Sequence, residues 1–295
     1  MKKASVIIPN YNGASTLGNC LTSVLTNDYP DFEVVVVDDQ STDQSLKIIQ
    51  NINDHRLRLI CNERNSGAAF SRNRGIRNAN GDIIILLDSD SYVERDWIGK
   101  HVQLSSTIDA DIIGGGMVGI HQSIAGACDG FCTWYTSIPF SKDFYLKKLH
   151  LPTNNMSLRK NVFKEIGNFN EQIIKVGGED AEFCHRALQK GLKIYFKSDL
   201  VAYHYDRNDF KEYLKHQENW GKFAVKMRKT HKMDYHYLLP NTYGMAHLYI
   251  LPLAILYTGY IIYRWLPYRP SILIYSPIIF LGKLKQTIAI KNSFK

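Results

Sequence analysis

An Asp-Ser-Asp motif, Asp88 to Asp90, directly follows the apolar run Ile83–Leu87. Two carboxylates at the end of a buried strand can point toward one place, and carboxylate oxygens are ligands that divalent cations such as Mg²⁺ prefer. A cation held there could neutralise the charge of a pyrophosphate as it leaves. A capped turn would contain the same residue types, so the motif alone leaves both interpretations open.

A second acidic pair, Asp38 and Asp39, ends the run Val34–Val37. A carboxylate at the carboxyl end of a parallel strand can accept a hydrogen bond from the ring N–H of uracil or guanine. Asp38 or Thr42 could instead cap the following helix, and the two functions are compatible. We therefore expect Asp39 to bind a nucleobase.

Two further segments could contact a nucleotide. The segment Pro9–Asn12, Pro-Asn-Tyr-Asn, could support a base on its aromatic ring, although Pro-Asn turns are common in loops. The segment Gly67–Asn73 offers backbone N–H groups and the guanidinium of Arg72 to phosphate or ribose. The dinucleotide-binding fingerprint is excluded, because the sequence contains no Gly-x-Gly-x-x-Gly there.

The segment Gly177–Asp180, Gly-Gly-Glu-Asp, opens a stretch with helical periodicity. Its glycines would let a ligand approach closely, and one of its carboxylates could be a general base that deprotonates an attacking hydroxyl. Acidic residues are also favoured at a helix N-terminus, so capping is the alternative. His204 is a lone histidine at the end of an apolar run, and such a residue is more often structural than a ligand.

Short apolar runs and amphipathic segments alternate through the first half of the chain. Runs of Val, Ile and Leu predict buried parallel strands at Ser5–Ile8, Glu33–Val37, Leu57–Cys61 and Asp82–Leu87. Apolar residues at helical spacing predict helices between them at Ser15–Thr26, Asp43–Asn53 and Phe70–Asn80. This order predicts an α/β fold with a doubly wound sheet, in which ligands bind beyond the carboxyl ends of the strands.

The later part of the chain is less regular. Further strands are predicted at Ile112–Gly116, Lys193–Phe196 and Leu200–His204, and a helix at Glu179–Lys190. A basic amphipathic helix is predicted at Asn208–Lys229, either packed on the protein or lying on a membrane surface.

The net charge of +8 is unevenly distributed along the 295 residues. Residues 1–206 carry 22 basic and 24 acidic side chains, whereas residues 207–295 carry 14 basic and 4 acidic ones. An apolar fraction of 45% excludes disordered and collagen-like classes. Five scattered cysteines favour reduced thiols in the cytosol over a disulfide framework or a zinc site. The short apolar run before Pro9 predicts no signal peptide.

A long uncharged stretch, Tyr235–Tyr263, contains no Asp, Glu, Lys or Arg. Its core, Gly244–Tyr263, is long enough to cross about 30 Å of hydrocarbon, and a shorter run, Ser271–Gly282, is interrupted by Pro277. Basic residues border both runs, which predicts a membrane hairpin with cytoplasmic ends or two helices in the interface; a buried helix pair of a soluble protein is the alternative. We divide the chain into a catalytic domain (1–206), a basic amphipathic helix (207–234) and membrane-associating helices (235–295).

In their order and spacing, the motifs resemble those of family-two inverting nucleotide-sugar glycosyltransferases with the GT-A fold, and this resemblance implies a doubly wound mixed sheet with a nucleotide-binding half and an acceptor half. The resemblance spans residues 5 to about 205 and rests on Pro-x-Tyr-Asn, Val-Asp-Asp-x-Ser-Thr-Asp, Arg-Asn, Asp-Ser-Asp and Gly-Gly-Glu-Asp. The segments Asn154–Arg159 and Gly167–Glu171 also resemble the acceptor-side region of that family. Gly13 and Ser91 depart from it, since many members carry acidic residues at those positions.

The resemblance implies a role for each matching residue. The donor nucleotide would be bound by Pro9, Tyr11, Asn12, Asp39, Arg72, Asp88 and Ser89. Mn²⁺ or Mg²⁺ would be held by Asp90, Asp88 and His204. Asp180 would be the general base, with Glu179 beside it on the acceptor.

The leading hypothesis is an enzyme that moves a sugar from a UDP-, GDP- or dTDP-linked donor to a lipid-linked or cell-surface glycan precursor. The basic C-terminal segment would hold it at the cytoplasmic face of the cell membrane. A polyprenyl-phosphate sugar synthase is the alternative enzyme, and a non-catalytic, membrane-tethered nucleotide-binding protein is an alternative of another class. A nucleic-acid partner is excluded, because the basic residues interleave with apolar sequence instead of lining a groove.

Overall fold

The computed structural model describes residues 2–147, 150–173, 178–231 and 249–294. The chain forms two compact units. The first comprises Met1–Val118, Pro139–Lys175 and Glu179–Tyr205, and the second comprises Gly119–Ile138, Val176–Gly178 and Asp206–Lys295. The three-part division proposed from the sequence stays a prediction.

The first unit is built on a mixed sheet. Its strands are β1 (Ala4–Asn10), β2 (Phe32–Asp38), β3 (Leu57–Cys61), β4 (Ile83–Leu86), β5 (Ser91–Val93), β6 (Ile112–Ile120), β7 (Phe144–Tyr145), β8 (Met156–Arg159) and β9 (Ile194–Tyr205). The order is β3-β2-β1-β4-β8-β6-β9-β5, and β7 pairs with β9. Strands β1 to β4 run parallel, whereas β8 is antiparallel to both β4 and β6. The α/β class and the mixed sheet predicted from the sequence are confirmed.

Six helices flank this sheet within the described ranges of the first unit. They are α1 (Leu17–Leu25), α2 (Ser45–Gln50), α3 (Ala68–Asn78), α4 (Trp97–Thr107), α6 (Val162–Ile166) and α7 (Glu179–Gln189). Helix α5 (Ile124–Thr133) belongs to the second unit. Helix α3 packs directly on β1, where a Cβ at Gly75 would overlap the side chain of Ile7. All seven residues of β2 are buried, which explains why both of its faces are apolar.

One long strand, β9, replaces the two short strands predicted between residues 193 and 204. The polar residues Lys197 and Ser198 lie between the two predicted strands, and Asp143 binds both of them. Its Oδ1 accepts from the Ser198 N–H at 2.8 Å, and its Oδ2 lies 2.8 Å from Lys197 Nζ. The strand therefore continues through its polar middle, because these groups are satisfied.

The second unit is helical. It contains α5 (Ile124–Thr133), α8 (Phe210–His231), α9 (Ile250–Trp265) and α10 (Ile272–Phe294). Of the predicted apolar core Gly244–Tyr263, residues 244–248 lie outside the described residues, as does most of the stretch before α9. Among the described helices, only α10 has the length and mean hydropathy (1.2) to cross a membrane, and the buried core helix of a soluble protein can pass the same test.

The expected interruption at Pro277 is wrong, because α10, which is 23 residues long, runs through this proline without a break. A proline has no N–H to donate to the carbonyl four residues earlier, here that of Leu273. The hydroxyl of Ser276 donates to Leu273 O at 2.8 Å instead. This side-chain hydrogen bond satisfies the carbonyl that the proline leaves without its helical partner.

Candidate functional site

The loop after β2 is organised by Asp38. Its carboxylate accepts hydrogen bonds from Asn10 Nδ2 (2.9 Å), the Ser41 N–H (2.9 Å) and Ser41 Oγ (2.6 Å), and the residue is 1% exposed. Asn12, at φ 51°, donates its N–H to Ser41 Oγ and accepts from the Thr42 N–H. Asp38 and Asn12 therefore join the loops that follow β1 and β2.

Asp39 is the acidic residue that we expect to bind a base. Its carboxylate accepts from Asn62 Nδ2 (2.7 Å), the Ser66 N–H (2.9 Å) and the Gly67 N–H (2.7 Å), which fixes the loop before α3. A carboxylate has about four acceptor positions, so roughly one remains for the ring N–H of a base. The assignment of Asp39 as a base-binding residue stays a prediction.

The loop after β1 brings an aromatic ring and Ser89 to the same end of the sheet. Pro9 is buried in β1 opposite Val37, whereas the side chain of Tyr11 is exposed (53%) and available for stacking. A Cβ at Gly13 would overlap Asn10 Oδ1 and lie 3.0 Å from Ser89 Oγ. A side chain at Gly13 would therefore displace that of Asn10 and crowd that of Ser89.

Arg72 joins three elements that are distant in the sequence. From α3, its Nη2 donates to Asp88 Oδ1 after β4 (2.7 Å) and its Nη1 donates to Glu179 Oε1 at the start of α7. Arg72 is 3% exposed, and its Nε has no hydrogen-bond partner among the described residues. Burial lowers the pKa of Arg72, but Asp88 and Glu179 together raise the pKa by more than burial lowers it. The guanidinium therefore stays charged.

The carboxylate of Asp88 is attracted by the guanidinium of Arg72 and repelled by the carboxylate of Asp90. Burial raises its pKa, Arg72 lowers it, and the nearby Asp90 raises it, with a raised pKa as the result. A position whose carboxylate is held against a fixed cation and a second acid is typical of a site that receives a charged ligand.

Asp180, the second residue of α7, has the environment of a base that works near neutral pH. Burial raises its pKa to about 6 and Asp88 adds to the rise, whereas the Ala181 N–H and Arg72 oppose it. The Ala181 N–H donates to Asp180 Oδ1 at 2.7 Å, and His150 Nε2 lies 3.8 Å from Oδ2. A general base is most effective with a pKa close to the working pH.

His150 was not predicted from the sequence, because it is a single histidine outside every motif. Burial lowers its pKa to about 4, so its ring is neutral at pH 7. A neutral imidazole beside Asp180 adds a polar neighbour without a full positive charge. Gly177, the first residue of the predicted Gly177–Asp180 segment, lies outside the described residues. Gly178, at φ 95°, leaves room for the ring of Phe223, which a Cβ would overlap.

Asp90 and His204 lie together at the pairing of β5 with β9, where Ser91 is opposite His204. Asp90 Oδ2 is 3.3 Å from His204 Nε2, and the side chain of Asp90 is 44% exposed. Asp88 is directed to Arg72 instead. In the parts of the chain that the structure describes, no group of three or more His, Cys, Asp or Glu side chains is arranged to hold a metal ion. Asp90 and His204 therefore offer two donors, and an ion would need further ligands.

The predicted acceptor-side segment is anchored to α3 by Asn73. Its Nδ2 donates to Phe169 O (2.8 Å) and Glu171 Oε1 (2.8 Å), and its Oδ1 accepts from the Phe169 N–H (3.0 Å). Asn155 lies deeper, where its Oδ1 accepts from Trp97 Nε1 at 2.9 Å. Asn73 and Asn155 thus join segments that are distant in the sequence.

Comparisons with known proteins identify the type of chain that carries this site. The model of "Glycosyl transferase family 2" matches residues 5–167, more than half of the chain, and that of "N-terminal domain of galactosyltransferase" matches residues 141–211. A glycosyltransferase of Haloferax volcanii, AglE, is 29% identical over 227 residues, which cover 76% of this chain and 73% of that protein.

Two further similarities cover most of the chain. The dolichyl N-acetyl-alpha-D-glucosaminyl phosphate 3-beta-D-2,3-diacetamido-2,3-dideoxy-beta-D-glucuronosyltransferase of Methanococcus voltae is 24% identical over 90% of this chain and 85% of its own. A solved mannosyltransferase of Pyrobaculum calidifontis, in complex with GDP-Man and Mn²⁺, covers 100% of this chain and 88% of its own with a TM-score of 0.65 and 18% identity. At that identity, the structural likeness establishes a shared fold.

Proposed function

The chain belongs to glycosyl transferase family 2, and from this premise we propose that it transfers one sugar, with inversion, from a nucleotide-diphosphate sugar to a hydroxyl of a lipid-linked or cell-surface glycan precursor. It is a glycosyltransferase by its family and by its named relatives. The alternative of a non-catalytic nucleotide-binding protein is therefore set aside.

The observation that carries the proposal is the environment of Asp180. A buried carboxylate with a pKa of about 6 is largely ionised at pH 7, yet basic enough to take a proton from an acceptor hydroxyl. One base that activates an acceptor on the face opposite the leaving diphosphate would invert the anomeric carbon. Glu179, next to it, is held by Arg72 and would position the acceptor.

The donor nucleotide would lie at the ends of β1, β2 and β4. The exposed ring of Tyr11 would stack on the base, and the remaining acceptor position of Asp39 would take its ring N–H. Asn12 and Pro9 would shape the loop beneath the base, and Ser89 would face the ribose and phosphates. We assign Arg72 mainly to positioning, because both ends of its guanidinium already bind Asp88 and Glu179.

The residues around Asp90 suit a hard divalent cation that takes some of its ligands from the donor. Asp90 and His204 would hold Mn²⁺ or Mg²⁺, and diphosphate oxygens would complete the set. Asp88 could add only the carboxylate oxygen that does not bond Arg72. When bound, the ion would neutralise charge on the departing nucleoside diphosphate. The solved mannosyltransferase with Mn²⁺ supports a divalent ion in this fold.

A lipid-linked acceptor is favoured over a bare polyprenyl phosphate. The name of the Methanococcus voltae relative describes transfer to a sugar already attached to dolichyl phosphate. An acceptor of this type would be met at the cytoplasmic face of the membrane, close to the basic C-terminal segment. A polyprenyl-phosphate sugar synthase would use a phosphate as the nucleophile instead, and then Asp180 would have no hydroxyl to deprotonate.

The proposal is tested with the purified full-length protein and a panel of UDP-, GDP- and dTDP-sugars with Mn²⁺. A bound donor should raise the melting temperature by mass action, and release of its nucleoside diphosphate should accelerate when a short polyprenyl-diphosphate sugar is added. Stabilisation by no nucleotide sugar would contradict the donor assignment. Release that accelerates equally with polyprenyl phosphate alone would favour the synthase.

A further inference from the structure

We propose that α9 and the first half of α10 dock onto the surface of an anionic lipid bilayer without crossing it. Their exposed apolar side chains form what we call the docking surface, namely Leu251, Ile255, Leu256, Tyr263, Leu273, Ile274 and Leu281. The inference rests on the proposed function at a membrane, and it adds how the enzyme is attached.

The docking surface is apolar where a surface helix normally carries polar residues. On α9, the exposed residues Leu251 and Ile255 lie one turn apart, and Tyr263 continues the face with 73% of its side chain exposed. On α10, Ile274 is 79% exposed. A soluble helix with one buried face exposes a polar face opposite to it, so a second apolar face marks an interaction site.

The opposite face of α9 is already occupied by its own unit. Leu253, Tyr257, Ile261 and Trp265 are buried there, and Trp265 Nε1 donates to Phe131 O at 2.9 Å. The apolar residues of the docking surface are therefore not the face that α9 uses to pack on its own unit. Its orientation is fixed by the packing on the other side.

As described, helix α9 is too short to span a bilayer by itself. At about 1.5 Å per residue, its 16 residues extend about 24 Å, less than the roughly 30 Å of hydrocarbon that a spanning helix must cross. Helix α10 is long enough, but its second half is not available to lipid. There, Gly221 of α8 packs on Gln286 O, and Gly282 packs on the hydroxyl of Tyr213.

The polar partners of α10 also oppose a transmembrane position. Lys283 is 5% exposed, and its Nζ donates to Gln217 Oε1 (2.9 Å) and Gln286 Oε1 (3.1 Å). Beside it, Lys285 and Lys222 pair with Glu218 near the surface. If α10 crossed a bilayer, α8 and these ammonium groups would be carried to the depth of the hydrocarbon, where charged side chains are costly.

Positive charge at the docking surface indicates lipid as the occupant. Arg264 and Arg269 border the connection between α9 and α10, and the exposed ring of Tyr268 lies between them in sequence. Aromatic and basic residues in this combination are typical of helices that lie at the headgroup level of anionic membranes. A second copy of the chain would bring the same positive charges together, so it is a poorer partner.

The test measures binding of the full-length protein to vesicles by co-sedimentation. Vesicles of phosphatidylcholine with one third phosphatidylglycerol should bind the protein, and pure phosphatidylcholine should bind it about tenfold or more weakly. Ile274→Glu should reduce binding to the anionic vesicles by about tenfold or more, because it replaces an inserted apolar side chain with an acid. The matched control is Phe140→Glu, which changes another highly exposed apolar residue (69%) in the first unit and should bind like the wild type.

Alkaline carbonate distinguishes docking from spanning. The bound protein should be released at high pH, whereas retention in the pellet would show that a helix crosses the bilayer and would overturn the inference. Unchanged binding of Ile274→Glu would also overturn it. A third result would overturn it as well: a dimer in solution that Ile274→Glu dissociates, together with no vesicle binding by either the wild type or the variant. A second copy of the chain would then cover the docking surface.

The proposed function is tested separately from the docking. Sugar transfer to a detergent-solubilised acceptor needs no vesicle, and Ile274→Glu should retain it. Transfer without vesicle binding would leave the function standing and remove the docking inference. Vesicle binding without transfer from any donor would leave the docking inference standing and contradict the proposed function.

Discussion

Removal of Arg72 should expose how much of the site depends on one buried guanidinium. Arg72 is 3% exposed and bonds Asp88 and Glu179 from two different elements. Removing one partner of a buried ion pair costs about 3–5 kcal/mol. Because the side chain of Asp88 is 29% exposed and partly screened by water, we expect Arg72→Met to cost about 3 kcal/mol, at the lower end of that range.

The cost should depend on pH with a defined sign. Arg72 lowers the pKa of Asp88, so its removal raises further a pKa that is already above the usual value. A carboxyl whose pKa is higher in the folded than in the unfolded protein destabilises the fold when ionised, and protonation at lower pH relieves this. The loss caused by Arg72→Met should therefore be larger at pH 7 than at pH 5.

Urea denaturation at both pH values, followed by circular dichroism, measures these differences. Arg72→Lys should lose about half as much as Arg72→Met, because an ammonium keeps the charge but cannot bond both carboxylates like a planar fork. Arg95→Met is the matched control, since Arg95 and its partner Asp28 are 74% and 66% exposed, 3.7 Å apart. The reasoning is refuted if Arg72→Met loses no more than the control, or loses the same amount at both pH values.

Three further substitutions test separate parts of the site. Asp90→Ala should abolish turnover that depends on Mn²⁺. The control Asp96→Ala, which removes an exposed ion pair with Lys100, should not abolish it. Full activity of Asp90→Ala in excess chelator would contradict the metal assignment. Tyr11→Ala should weaken nucleotide binding by about 1–3 kcal/mol in calorimetry, and unchanged affinity would place the base elsewhere. Gly178→Ala should lower the melting temperature, because it strains a φ of 95° and overlaps Phe223, and an unaltered melting curve would contradict this packing.

The parallel part of the sheet could be predicted from the sequence. Strands β1, β2 and β4 are buried on both faces, and strands of this kind carry uninterrupted Val and Ile runs. The following elements β5, α4 and α5 were not predicted, because they are short or mix polar and apolar residues without a clear period. The sequence predicts two strands in place of β9, because the middle of this strand is polar. The strand continues because Asp143, which lies outside it, binds those polar residues.

The residue types of the site could be predicted, but their contacts could not. Arg72 and Glu179 are 107 positions apart, and no local pattern indicates that their side chains meet. His150 was missed for the same reason, since its place beside Asp180 follows from the fold and not from its neighbours in the chain. The sequence predicts a shorter apolar run than α10, because proline usually ends a helix, and the compensating hydrogen bond from the hydroxyl of Ser276 cannot be read from the sequence.

The most direct test of the account is the pH dependence of transfer in the wild type and in Asp180→Asn. If Asp180 is the general base, kcat/KM of the wild type should rise with pH through an apparent pKa near 6, since only the ionised carboxylate accepts a proton. Asp180→Asn should bind the nucleotide sugar with unchanged affinity in calorimetry and lose about 10²- to 10⁴-fold in transfer, without the rise near pH 6. Transfer by Asp180→Asn at the wild-type rate, with the same pH profile, would contradict the central claim.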